Sequence, residues 1–64
     1  MPKRYTSREL IKIVEKDGWF LVNIEGSHHK FNHNTKKGHV IIPHPKKDMD
    51  IKTANNILKQ AGLK

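Results

Sequence analysis

Five histidines in a chain of 64 residues, with no cysteine, make imidazole the first place to look for chemistry. With an ordinary pKa of about 6.5, imidazole can both take and give a proton near neutral pH. One of the five, His28, follows directly on a Gly26-Ser27 pair, and Lys30 stands two residues further on. If this stretch is a strand opened by a tight turn, His28, Lys30 and Asn32 share one face, because side chains alternate along a strand. Phe31 is its one large apolar residue and belongs in a core, so His28 and Lys30 face solvent as a proton-transfer group beside a cation. His29 and His33 take the Phe31 side, where a strand end can still spare either of them burial. No histidine pair has HExxH spacing, and the lack of cysteine removes thiolate metal and redox sites, so neither a metal nor any other cofactor is expected.

Charge narrows the choice of partner. Thirteen Lys and Arg against six Asp and Glu give a formal charge of +7 on a very small surface. Such a field attracts polyanions, of which nucleic acid is the commonest, although an acidic protein or an anionic membrane would satisfy the same charge. RNA cleavage without a metal suits these residues. One group removes the 2′-hydroxyl proton as that oxygen attacks the neighbouring phosphorus, another protonates the departing 5′-oxygen, and cations stabilise the phosphoryl charge. One imidazole does not readily fill both proton-transfer roles, and no second group stands out in the sequence. Besides Lys30, the expected phosphate contacts are Lys36 and Lys37 on a hairpin connection, Lys46 and Lys47 ahead of the last helix, and Lys52 in its first turn. Tyr5, Trp19 and Phe20 could stack on bases, but Trp19 and Phe20 open a strand beside a helix stop and are expected in the core.

These residues have to be positioned by a small set of elements. Thr6 followed three residues later by Glu9 reads as a capping box, and Leu10, Ile11 and Val14 recur at one-turn spacing until Gly18, which predicts a helix over Ser7 to Asp17. Trp19 to Ile24, His28 to Asn34 and His39 to Pro43 read as three strands of an antiparallel meander, joined by Gly26-Ser27 and by the polar Asn34 to Gly38 stretch. Pro43 and Pro45 should end the pairing. Asp50 is placed to cap a second helix carrying Ala54, Ile57, Leu58 and Ala61 on one face, with Gly62 as its stop. The expected fold is α+β, an αβββα chain in which both helices cover one face of a three-stranded antiparallel sheet and leave the other open.

Residues 1–64 are read as a single domain, since the chain is too short for two hydrophobic cores and must stabilise one without disulfides. No apolar run approaches a membrane span, and the first residues lack the apolar stretch of a signal peptide, so a cytoplasmic location is expected.

In order and spacing, several segments resemble the HicA family of ribonuclease toxins over nearly the whole chain. They are Glu9-Leu10-Ile11-Lys12, Asp17-Gly18-Trp19, Gly26-Ser27-His28-His29-Lys30-Phe31, Ile42-Pro43-His44, and Ile57-Leu58-Lys59-Gln60-Ala61-Gly62-Leu63. The resemblance implies a fold like a double-stranded RNA-binding domain and an mRNA-cleaving toxin held inactive by a HicB-like antitoxin. It also implies that His28 is the catalytic histidine, with Ser27 and His29 at most in support. One departure is Lys52, which stands ahead of Thr53 where family members often carry glycine. Two other readings fit the charge and the order of elements: a non-catalytic module for double-stranded RNA, and a protein-interaction domain that meets only an acidic partner.

Overall fold

The computed structural model describes residues 4–64. Its elements follow in the order α1 (Ser7–Lys16), β1 (Trp19–Glu25), β2 (His28–His33), β3 (Val40–Pro43) and α2 (Ile51–Gln60). The sheet is antiparallel with strand order β1-β2-β3, which is the expected αβββα architecture. Predicted and observed boundaries differ by a residue at each affected end: Asp17 is the C-cap of α1 rather than its last turn, β1 runs on to Glu25, β2 stops at His33, and β3 begins at Val40.

Both helices start where side chains satisfy their orphan amides. The Thr6 hydroxyl accepts from the Glu9 amide at 3.1 Å while the Glu9 carboxylate accepts from the Thr6 amide at 3.0 Å, the reciprocal capping box. Asp50 accepts from the Thr53 amide at 3.0 Å. Hydrogen bonding from the Thr53 side chain, and then from this amide, holds the Asp50 carboxyl below its ordinary pKa. At its far end α2 closes in a Schellman arrangement, with Gly62 N–H donating to Lys59 O and Leu63 N–H to Leu58 O.

Inward-facing residues of all five elements form one core. Leu10 and Val14 of α1, Trp19, Phe31, Val40 and Ile42 of the sheet, and Ala54, Ile57 and Leu58 of α2 are buried together with Met49 and Ala61. Met49 was not in the predicted apolar pattern. It is held by an isolated bridge, in which Tyr5 N–H donates to Met49 O and Met49 N–H to Tyr5 O, so that the segments leading into the two helices run side by side. Phe20, expected in the core beside Trp19, is 42% exposed, whereas Trp19 is only 2% exposed. Consecutive strand residues point to opposite faces, and only one of the two can reach the helices.

The sheet faces are set by register. On the helix-covered face the cross-strand rows are Ile24–His29–Ile42 and Leu21–Phe31–Val40, with Trp19 opposite His33. On the open face they are Glu25–His28–Pro43 and Asn23–Lys30–Ile41, with Phe20 opposite Asn32. A bulge between Leu21 and Asn23 makes this pattern possible. The extra residue, Val22, reverses the alternation of β1, so that Phe20 and Asn23 share a face.

Candidate functional site on the open sheet face

The turn between β1 and β2 fixes the position of His28. Gly26 has φ +59° and no non-glycine residue among the described residues has positive φ, so Gly26-Ser27 is a two-residue hairpin turn with the left-handed residue first, a type II′ signature. Ser27 O accepts the His44 amide at 2.7 Å, which ties the turn to the chain leaving β3. His28 and Lys30 then project from the open face, as strand parity predicts. They line a shallow depression of about 340 Å³, together with Asn23 and Glu25 of β1 and Ile41 of β3. The His28 side chain is exposed and makes no hydrogen bond among the described residues. Its imidazole is thus free for a ligand.

The remaining histidines are otherwise occupied. His29 lies half-buried on the covered face, its ring edge-on to that of His44 with centroids 5.0 Å apart. His33 Nε2 lies 2.7 Å from Asp17 O, while its Nδ1 accepts the Thr35 and Lys36 amides at 3.1 Å each. Nδ1 must therefore be the unprotonated nitrogen and Nε2–H the donor. His39 Nδ1 lies 2.6 Å from Asn32 Oδ1, an acceptor. His44 Nδ1 lies 2.6 Å from the buried Ser7 hydroxyl, which accepts the Lys46 amide at 2.9 Å. The Ser7 proton is left with one acceptor, His44 Nδ1.

The predicted cations separate into four places. Lys30 is at the depression itself. Lys46 and Lys47 border a second concavity of about 350 Å³ at the start of α1, where Arg8 and His44 join them, and Lys52 is exposed in the first turn of α2. Lys37 is exposed on the β2–β3 connection. Lys36, from the same connection, is engaged within the fold, where its ammonium donates to the Asp17 carboxylate and, at 2.9 Å, to Ala61 O. Both acceptors are helix C-caps, so Lys36 clasps the ends of α1 and α2. The same contact is the main cause holding the Asp17 carboxyl below its ordinary pKa.

Sequence reasoning missed Glu25 and Asn23 at the depression, and Arg8 and His44 at the second concavity. Glu25 was legible in principle. A two-residue hairpin turn makes its flanking residues direct cross-strand partners, and Glu25 and His28 flank Gly26-Ser27. Asn23 was not, because its face depends on the bulge. Among the described residues, no three His, Asp or Glu side chains come together as a metal-binding group, and no helix is long and apolar enough to cross a membrane.

Compared with known families, the chain matches the model described as HicA toxin of bacterial toxin-antitoxin over residues 7–63. A search of curated proteins finds no match.

Proposed function

The chain belongs to the HicA toxin family of bacterial toxin–antitoxin systems, and from that premise we propose that it is an endoribonuclease that cleaves mRNA without a metal, using His28 for proton transfer. Membership in the family implies an antitoxin partner. In this reading the partner is HicB-like, and it neutralises the toxin by covering the open sheet face that bears His28.

The observation that carries the proposal is the state of His28. Alone among the five histidines it combines an exposed position on a sheet face that the helices leave open, a place in a depression, and a side chain without a hydrogen-bond partner among the described residues. Lys30 beside it offers an ammonium, a donor with no acceptor function, to a phosphoryl oxygen. Lys37, Lys46, Lys47 and Lys52 would meet flanking phosphates, and Ser27 supports the turn. His29 is separated from this chemistry by the sheet.

The test is cleavage of a long unstructured RNA in EDTA by the parent, His28→Ala and His29→Ala. The parent and His29→Ala should cut, while His28→Ala should lose roughly 10²-fold or more of the rate, the usual contribution of a general acid or base. The products should carry a 2′,3′-cyclic phosphate; a 3′-hydroxyl would exclude transesterification. The αβββα order, shared with double-stranded RNA-binding domains, favours a second reading as a non-catalytic duplex-binding module. That reading takes over if no variant cuts while all bind RNA in a salt-dependent way.

A further inference from the structure

Transesterification needs one group to take the 2′-hydroxyl proton and another to protonate the 5′-oxygen, and His28 cannot do both within one step. The open face offers few alternatives. His29 and His44 pack against each other around the covered side, and both ring nitrogens of His33 are engaged. His39 is bonded to Asn32, four strand residues and therefore roughly 13 Å from His28. The titratable groups around the depression are Glu25 from β1 and His28 and Lys30 from β2, while β3 adds only Ile41.

Glu25 and His28 are direct cross-strand partners on one face. Their Cβ atoms are therefore about 5 Å apart. The backbone between them is a two-residue turn pinned by the Ser27–His44 bond, which keeps the pair in register. Neither side chain is taken up by a hydrogen bond or ion pair among the described residues, so a carboxylate and an imidazole stand free at the same depression.

We infer that Glu25 is the second proton-transfer group of the ribonuclease reaction, acting as general base while protonated His28 acts as general acid. This rests on the ribonuclease reading above. The Glu25 carboxylate takes the proton of the 2′-hydroxyl as the 2′-oxygen bonds to phosphorus. The bond from phosphorus to the 5′-oxygen breaks, and that oxygen receives the proton from the His28 imidazolium. The products are a 2′,3′-cyclic phosphate and a 5′-hydroxyl, with Glu25 left protonated and His28 neutral until they exchange protons with water. The Lys30 ammonium stabilises the phosphoryl oxygens.

The experiment compares parent, Glu25→Gln and His28→Ala on a short RNA with one cleavable linkage, and on the same RNA whose leaving 5′-oxygen is replaced by sulfur. A thiolate leaves without protonation, so the sulfur substrate should restore most of the rate to His28→Ala and none to Glu25→Gln. On the oxygen substrate, Glu25→Gln should fall roughly 10²-fold or more and lose the acidic limb of the pH–rate profile. Its circular dichroism and its binding of a 2′-O-methyl version of the RNA should match the parent. If Glu25→Gln cuts at about the parental rate with the same pH profile, or if the sulfur substrate rescues it, the assignment is overturned while the ribonuclease reading survives. If the parent cuts neither substrate, both fall together.

Discussion

Gly18 and His33 depend on each other at the point where α1 gives way to β1. Gly18 has φ +104°, and a Cβ there would sit 2.8 Å from His33 Nε2, the nitrogen that reaches Asp17 O. Gly18→Ala therefore combines a backbone penalty of about 1–2 kcal/mol with a steric clash. His33→Ala strands two amides and a carbonyl, for a loss of about 1–3 kcal/mol. The double variant should lose less than the two single losses combined, because deleting the imidazole removes the clash. Urea unfolding of the four proteins measures that coupling, and strict additivity would contradict the geometry. Phe31 and Phe20 provide a second contrast. Phe31 is 1% exposed and its truncation to alanine should cost about 3–5 kcal/mol, whereas Phe20→Ala, on the open face, should cost well under half as much by the same unfolding measurement.

At the scale of elements, the helices are fastened at both ends by side chains. Thr6→Ala removes the hydroxyl half of the capping box and should cost about 1 kcal/mol, read as a lower thermal midpoint. The C-terminal ends meet at Lys36, whose contact with Asp17 carries a pH signature. The folded-state pKa of Asp17 is lowered, so its contribution to stability is fully present above the ordinary carboxylate value of about 3.9 and is lost as pH falls through the lower folded value. Asp50, lowered by its cap contacts with Thr53, acts in the same direction. Stability should thus decline on acidification below about pH 4, and Lys36→Met should flatten the Asp17 part of that decline. A Lys36→Met protein with the parental acid profile, followed by circular dichroism, would remove the clasp from the account.

For the whole molecule, the placement of the helices sets the two sheet faces apart. The helices cover one face and build the core, and the other face keeps His28, Lys30 and Glu25 available. With a formal charge of +7, binding to a 2′-O-methyl RNA should weaken steeply with salt, log K falling linearly against log salt concentration. If Lys46, Lys47 and Lys52 each meet a phosphate, changing all three to glutamine should reduce that slope by about two. Lys36→Gln, by contrast, should leave the slope nearly unchanged and lower stability, because its ammonium is held by Asp17 and Ala61. Filter-binding titrations across a salt series separate these outcomes.

What the sequence by itself determined rests on local rules. Capping residues one turn from their partners located both helix starts, apolar spacing identified their buried faces, and strand alternation around Phe31 put His28 and Lys30 on the open side. Each depends on residues within a few positions of one another, where backbone geometry leaves little choice. Tertiary structure alone decided the rest. The bulge at Val22 turned Asn23 outward, the Tyr5–Met49 bridge brought Met49 into the core, and chain crossing placed Lys36 between two helix ends and Ser7 against His44. These contacts join residues far apart in the chain, and no local periodicity encodes them, because they form only when the core draws the elements together.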